Sequence, residues 1–199
     1  DTLAQITLTA CQKAKEHGLQ ISCDLNFRKK LWSSEKAGQV MGTLMPYVDV
    51  CIANEEDAEK VFGIHAQDSN VTSGTLSKEG YQDVAKQLMD RFSCHSVAIT
   101  LRESISASDN RWAGMLYQKD SAYFSRQYHM HIVDRVGGGD SFAAALIYGM
   151  IKQKSPQEII DFAVAASCLK HSIEADYNQI SVAEAEALAA GDGSGRVRR

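Results

Sequence analysis

Features of several protein classes are missing from this sequence of 199 residues. Its longest apolar stretch, Phe142 to Ile151, is interrupted by Tyr148 and Gly149, and it is far shorter than the roughly 18 to 20 apolar residues of a membrane span. Acidic and basic residues are interspersed, with a net charge of −4, so no basic surface for a nucleic acid is indicated. We therefore expect no membrane and no nucleic-acid partner, and a small polar ligand fits the composition better.

Disulfide and metal-binding patterns are missing as well. The five cysteines are odd in number, widely scattered and without a CxxC pair. His129 and His131 share a face of an extended chain, but no cysteine or carboxylate lies at zinc spacing from them. The cysteines are interpreted as small buried hydrophobic residues of a cytoplasmic protein. The chain begins at Asp1 without the regions of a signal peptide, and we expect a trimmed chain or a fragment.

Helical and strand patterns alternate along the chain. Helical spacing of apolar residues, with capping residues at the ends, predicts helices over 3–18, 34–44, 54–63, 79–92, 141–153, 156–171 and 182–189. Apolar runs predict strands over 19–25, 48–53 and 96–101, and an antiparallel hairpin of 112–117 with 122–127. Residues 65–77 are expected to form a polar loop and 191–199 a solvated tail. This order predicts one α/β domain with an open, mostly parallel sheet, whose ligands bind beyond the carboxyl ends of the strands.

The strongest chemical pattern is Asp134-Arg-Val-Gly-Gly-Gly-Asp140-Ser-Phe, which leads from an extended segment into a helix start. Consecutive glycines let backbone N–H groups converge, so Gly137, Gly138 and Gly139 are suited to cradle a phosphate. Asp140 could accept a proton from a hydroxyl that attacks the phosphoryl group. From this segment alone, a glycine loop that ends in an Asp helix cap is equally consistent. The segment is neither a Walker A loop nor a dinucleotide fingerprint, because GK[ST] and GxGxxG are absent.

Asp24, Asn26 and Arg28 lie at the end of the first predicted strand. If the backbone stays extended, the period of two places the three side chains on one side. Arg28 is suited to a carboxylate or phosphate, to which it would donate two hydrogen bonds. Taken alone, these residues favour a salt-bridged strand end over a ligand site.

The segment from Asn54 to Asp57 follows the second predicted strand and contains three consecutive acids. An asparagine at a helix start caps the first turn, and acidic residues in that turn complement the helix dipole. The pattern alone therefore predicts a helix cap.

Together these segments resemble the ribokinase-like, or PfkB, carbohydrate kinases. The glycine segment is similar to the family signature D-T-x-G-A-G-D-x-F, with Arg135 in place of the usual Thr and Gly138 in place of the usual Ala. The stretch D-L-N-F-R-x-x-L-W, which begins at Asp24, is similar to D-x-N-x-R-x-x-L-W of the 2-keto-3-deoxygluconate kinase branch. The resemblance covers essentially all of the chain in matching order.

The resemblance implies ATP and Mg²⁺ as cofactors and gives each segment a role. The implied catalytic base and anion hole are Asp140 with Gly137, Gly138 and Gly139. The implied substrate residues are Asp24, Asn26, Arg28 and Asp176. The implied ATP contacts are Thr100, Arg102 and Lys170, although a capped strand end is equally consistent with the first two. The implied metal residues are Asn54, Glu56 and Asp57, with Asp57 standing where the family has Glu.

The fold implied by the resemblance is a three-layer αβα sandwich with a mostly parallel sheet and an antiparallel hairpin. Residues 1–199 would form the C-terminal portion of a single kinase domain, the nucleotide-binding and catalytic-base half, without the N-terminal strands and lid. The implied activity is phosphorylation of a primary hydroxyl of 2-keto-3-deoxygluconate, and the alternatives are ribokinase or fructokinase activity, or a noncatalytic nucleotide-binding fragment. We expect this chain alone to be inactive and to form a homo-oligomer.

Overall fold

The computed structural model of the protein describes residues 2–66 and 77–191. Most of the predicted polar loop, residues 67–76, and nearly all of the predicted tail, residues 192–199, lie outside the described residues. The described helices are α1 Thr2–Glu16, α2 Ser34–Leu44, α3 Glu55–Phe62, α4 Lys78–Phe92, α5 Gly138–Ile151, α6 Pro156–Lys170 and α7 Val182–Ala189, with a 3-10 turn at Met45–Tyr47. The described strands are β1 Ser22–Asp24, β2 Val50–Ala53, β3 Ser96–Ser104, β4 Asp109–Gln118, β5 Ser121–Phe124 and β6 Tyr128–His131.

The strands form one mixed sheet of six in the order β1-β2-β3-β4-β5, and β6 pairs with β4. Strands β1, β2 and β3 are parallel, with Cys23 opposite Cys51 and Cys51 opposite Val97. Strand β6 runs antiparallel to β4, with Met130 opposite Asn110. The expected α/β fold is confirmed as a mixed sheet, in which the parallel strands β1 to β3 are followed by antiparallel strands. Strand β6 was not predicted, and its short sequence Tyr-His-Met-His carries little apolar signal for a strand.

Two compact units divide the chain. The first runs to Thr100 and includes Leu116–Ala122; the second contains Leu101–Met115 and continues from Tyr123. The division falls inside β3 and β4.

In the first unit, strand β2 is buried along its whole length, as expected for an inner parallel strand covered on both faces. The carboxylate of Asp49, which precedes β2, is 6% exposed. It accepts hydrogen bonds from Lys15 Nζ at 2.6 Å and from the backbone N–H of Ile21 at 2.7 Å. Burial raises the pKa of Asp49, but these two hydrogen bonds together with the positive charge of Lys15 hold the pKa below its usual value. Asp49 thereby joins α1 to the starts of β1 and β2.

Helix starts and ends follow their expected capping residues. Asn54 caps α3 in a capping box with Asp57, and Gly63 ends the helix with a left-handed φ of 67°. Ser155 caps α6 in the same manner, with Pro156 in the first turn. The predicted cap at Asn54, the predicted helix start at Pro156 and the predicted stop at Gly63 are confirmed, whereas the cap at Ser155 was not predicted.

In the second unit, α5 packs against α6 through Phe142, Leu146, Ile160 and Val164, all fully buried. Gly114 of β4 allows this packing, because a Cβ there would lie 2.8 Å from the Val164 side chain. No helix within 2–66 and 77–191 has the length and apolar character to cross a membrane.

Candidate phosphate-binding loop and flanking residues

The glycine segment forms the start of α5. Gly137 is the N-cap with a left-handed φ of 78°, and Gly138, Gly139 and Asp140 make up the first turn. The helix thus begins three residues before the predicted start at Ser141, because the glycines adopt helical geometry. The first N–H groups of a helix have no acceptor within it and carry partial positive charge. The predicted phosphate cradle therefore lies at a helix N-terminus, and the exposed Asp140 is the third residue of that helix.

The three glycines differ in what an added side chain would contact. A Cβ at Gly137 would lie 2.5 Å from the carbonyl oxygen of Asp176, and one at Gly138 would lie 2.6 Å from Nε2 of His171. A Cβ at Gly139 would meet no atom within 4 Å. Packing inside the protein therefore requires the first two glycines, whereas the third leaves the exposed side of the backbone uncovered for a ligand.

Asp134 fixes the approach to the loop. One of its carboxylate oxygens accepts the N–H of Val136 at 3.0 Å and the other accepts the N–H of Ala175 at 2.9 Å. The hydrogen bond from Val136 and the one from Ala175, with the nearby positive charge of Lys170, hold the pKa of Asp134 below its usual value. The backbone carbonyl of His171 accepts the N–H groups of Val133 and Asp134. Asp134 is therefore a structural anion that serves backbone groups.

The ring of His171 packs against the loop at Gly138. This residue was not predicted as a site residue. It is 5% exposed, its Nδ1 lies 2.7 Å from the carbonyl of Ser167, and its ring packs 5.2 Å from the Trp112 ring. Ser167 also donates through Oγ to the carbonyl of Gly138 at 2.8 Å. Burial lowers the pKa of His171, and the positive charges of Lys170 and Arg135 lower it further. The imidazole is therefore neutral near pH 7, with its proton assigned to Nδ1 by this hydrogen bond.

The expectation that Lys170 contacts ATP does not match its surroundings. The side chain is 0% exposed, and Nζ donates to the carbonyls of Ile173 and Ala175 at 3.1 and 2.6 Å. Its charged group is used inside the protein, and the corrected role is structural. Asp176, expected at the substrate, has an exposed side chain beside the loop, and its carbonyl lies against Gly137.

The third strand was predicted to end at Leu101, which placed Arg102 beyond it. Strand β3 extends to Ser104, so Thr100 and Arg102 both lie within the strand, and the predicted end was wrong. The buried part of the strand ends at Ile99, and the pattern of apolar residues therefore does not report its last residues. Arg102 is exposed and Thr100 is half-buried.

Asp24, Asn26 and Arg28 are joined in the first unit, but not by an extended backbone. Strand β1 ends at Asp24, and Asn26 has a positive φ of 37°, which overturns the assumed period of two. Asp24 Oδ1 instead accepts the N–H of Asn26 at 3.1 Å, and Asn26 Oδ1 accepts Nε–H of Arg28 at 3.0 Å. All three side chains are exposed, and the turn places them in one hydrogen-bonded chain.

Asp57 holds this turn against α3. The residue is 6% exposed; Oδ1 accepts the N–H of Phe27 at 3.0 Å and Oδ2 accepts the N–H of Asn54 at 3.2 Å. Asn54 Oδ1 in turn accepts the N–H of Asp57 at 2.8 Å. Burial raises the pKa of Asp57 above its usual value despite these hydrogen bonds. Two of the three residues expected at a metal, Asn54 and Asp57, thus bind backbone groups, while Glu56 is exposed. Within the described ranges, no three histidine, cysteine or acidic side chains form a metal-binding group.

Comparison with known proteins identifies the family. The profile of the pfkB family carbohydrate kinases matches residues 1–179. The chain belongs to this family.

Individual relatives and solved structures are similar to the chain over most of its length. A crystal structure of 2-dehydro-3-deoxygluconokinase from Thermotoga maritima is 46% identical, with a TM-score of 0.90 over 96% of this chain and 56% of that chain. A 2-dehydro-3-deoxygalactonokinase from Haloferax volcanii is 27% identical over 98% of this chain and 55% of the relative. A protein assigned as ribokinase II from E. coli, solved with ATP and Mg²⁺, is 15% identical with a TM-score of 0.69 over 91% of this chain and 52% of that chain, which shows the shared fold alone. The chain therefore spans about half of the length of the curated relatives that it matches.

The neutral, buried state of His171 predicts a pH dependence of stability. The folded pKa of His171 lies below its unfolded value of about 6.5, so the unfolded chain binds an extra proton as the pH falls below that value, and stability is lost. We expect His171→Asn, whose amide can also donate to the Ser167 carbonyl, to lose less free energy of unfolding than wild type between about pH 7.5 and about pH 5.5. Urea denaturation at both values measures this, and His17→Asn, at an exposed histidine, is the control. Equal losses in wild type and His171→Asn would contradict the assignment.

Proposed function

We propose that the protein carrying this chain phosphorylates a primary hydroxyl of 2-keto-3-deoxygluconate with ATP and Mg²⁺. The observation that carries the proposal is the exposed carboxylate of Asp140 in the first turn of α5, directly after the glycine N–H groups. Membership of a carbohydrate kinase family and 46% identity to a 2-dehydro-3-deoxygluconokinase support it. A cytoplasmic location is part of the same proposal.

The chemistry assigned to the loop is direct transfer. Asp140 accepts the proton of the sugar hydroxyl, the hydroxyl oxygen forms a bond to the γ-phosphorus, and the bond from that phosphorus to the β,γ-bridging oxygen breaks as ADP leaves. The N–H groups of Gly137 to Gly139 stabilise negative charge on the transferred phosphoryl group. No covalent phosphoenzyme is required.

Mg²⁺ would neutralise charge on the ATP phosphates. A magnesium ion held by phosphates and water needs only one or two carboxylates. Among the proposed metal residues Asn54, Glu56 and Asp57, the exposed carboxylate of Glu56 fits this description, and Asn54 and Asp57 hold the turn that carries it. Arg102 and Thr100 remain proposed ATP contacts.

The acid sugar is assigned to the turn at Asp24, Asn26 and Arg28, with Asp176 as a further contact. Arg28 is exposed and its Nε–H is oriented by Asn26, which leaves the outer guanidinium nitrogens for the sugar carboxylate. The resemblance to a 2-dehydro-3-deoxygalactonokinase makes the C4 epimer the nearest competing substrate. Ribose or fructose is a more distant alternative, and a noncatalytic nucleotide-binding fragment is the alternative from another class.

The first prediction concerns Asp140. We expect Asp140→Asn to lower kcat by more than about a hundredfold, because general-base catalysis contributes at least that factor, while ATP affinity stays nearly intact. The assay uses a chimera in which this chain replaces the matching segment of the Thermotoga maritima kinase. Asp90→Asn removes an exposed carboxylate from α4 and is the control. A kcat of Asp140→Asn near that of the unsubstituted chimera would rule out the base.

The second prediction concerns Arg28. In the same chimera, Arg28→Ala should raise KM for 2-keto-3-deoxygluconate about ten- to a hundredfold, the effect of one charged hydrogen bond, and should affect neutral sugars less. Lys29→Ala removes the same charge from the exposed neighbouring residue and should leave KM unchanged. Equal losses for ribose and for the acid sugar would assign Arg28 to the phosphate or to the fold.

The third prediction concerns the chain alone, which we expect to self-associate and to show no appreciable turnover. Leu3 and Ile6 of α1 are 73% and 60% exposed, and β1 has β2 as its one neighbour among the described strands. Exposed apolar residues and an open strand edge favour association. Light scattering and a coupled assay measure the two parts, and Leu3→Gln with Ile6→Gln should weaken the association. A monomer that phosphorylates the sugar steadily would contradict both.

A further inference from the structure

Lys170 has a buried charge that the proposed reaction does not use. It is the last residue of α6, and its side chain is fully enclosed. Burial of an ammonium group is costly unless hydrogen bonds replace its water. Here the carbonyls of Ile173 and Ala175 accept from Nζ, so the cation binds the turn that follows its own helix.

The same turn is held from its other side by an anion. Ala175 donates its N–H to Asp134 Oδ2 at 2.9 Å while its carbonyl accepts from Lys170 at 2.6 Å. Ala175 has a φ of 62°, a left-handed conformation that is unfavourable for alanine. The cation of Lys170 and the anion of Asp134 therefore both bind the backbone of Ala175 and stabilise its strained conformation.

This strained turn packs against the glycine loop at Gly137. The Asp176 carbonyl would lie 2.5 Å from a Cβ at Gly137, and Lys170 Cε would lie 3.2 Å from it. The loop can take its shape only because the turn and the lysine stem fit against a glycine. A change at Lys170 therefore acts on Gly137 directly.

We propose that Lys170 is a positioning residue for the phosphate-binding loop, a built-in cation that holds residues 173–176 beneath Gly137 and adds positive potential at the start of α5. The inference rests on the phosphate-binding role proposed for the loop. An apolar side chain of similar length would fill the space without the cost of burying a charge. The lysine stem instead packs against the loop, with Cε 3.2 Å from the position of a Cβ on Gly137, in an interior where charge is weakly screened.

The test measures binding of inorganic phosphate to the chimera with the Thermotoga maritima kinase, so it depends neither on sugar turnover nor on the isolated chain staying monomeric. Backbone amide shifts of Gly138, Gly139 and Asp140 are followed by NMR as phosphate is added. Lys170→Gln keeps an N–H donor for the carbonyls but removes the charge, and Lys170→Met removes both. Lys154→Gln is the matched control, because it removes a lysine charge paired with Glu186 at 2.9 Å and not with the loop.

We expect Lys170→Gln to weaken phosphate binding about tenfold, as the loss of one nearby, partly screened charge predicts, and Lys154→Gln to bind like wild type. Lys170→Met should weaken binding further, and if it does not fold, Lys170→Gln decides the result. Unchanged phosphate affinity in folded Lys170→Gln, even with a lower Tm, would overturn the inference and leave the proposed function intact. Absence of any phosphate response in wild type would overturn the loop's proposed role and this inference with it.

Discussion

The close approach of the glycine backbone to the end of α6 is the constraint on which the second unit depends. Gly138 lies on the His171 ring and Gly137 on the Asp176 carbonyl, so neither position has room for a Cβ. Because the backbone is held this closely, packing inside the protein sets the first turn of α5, and the N–H of Gly138 donates to the carbonyl of Arg135 at 3.3 Å. A fixed set of N–H groups stabilises developing charge without rearranging, which is the main requirement of phosphoryl transfer.

Buried and exposed polar groups are used differently in both units. Asp57 and Asp49 in the first unit, and Lys170 in the second, are buried and bind backbone or neighbouring groups. Asp140 and Arg28 are exposed, and these are the charged groups proposed to contact other molecules. Burial therefore separates the residues that shape the candidate site from those proposed to act in it.

The sequence predicted the features that depend on local chemistry. Helix α2 and its neighbours followed from apolar spacing, the cap at Asn54 from its short-range hydrogen bonds, and the start of α6 from Pro156. Features set by distant partners were missed. The roles of Lys170 and His171 depend on the turn after α6 and on the glycine loop about thirty residues earlier. The bend at Asn26 is held by the hydrogen bond from the N–H of Phe27 to the carboxylate of Asp57. Spacing along a chain does not report such partners.

The two departures from the family signature also have structural reasons. Arg135, in place of the usual Thr, donates from its guanidinium to the carbonyl of Ala107 at 2.7 Å, so the longer side chain fastens the loop to the turn between β3 and β4. Gly138, in place of the usual Ala, makes room for His171, whose ring would collide with a methyl group. Gly138 and the buried His171 therefore form one arrangement, because a methyl group at position 138 would occupy the space of the imidazole ring.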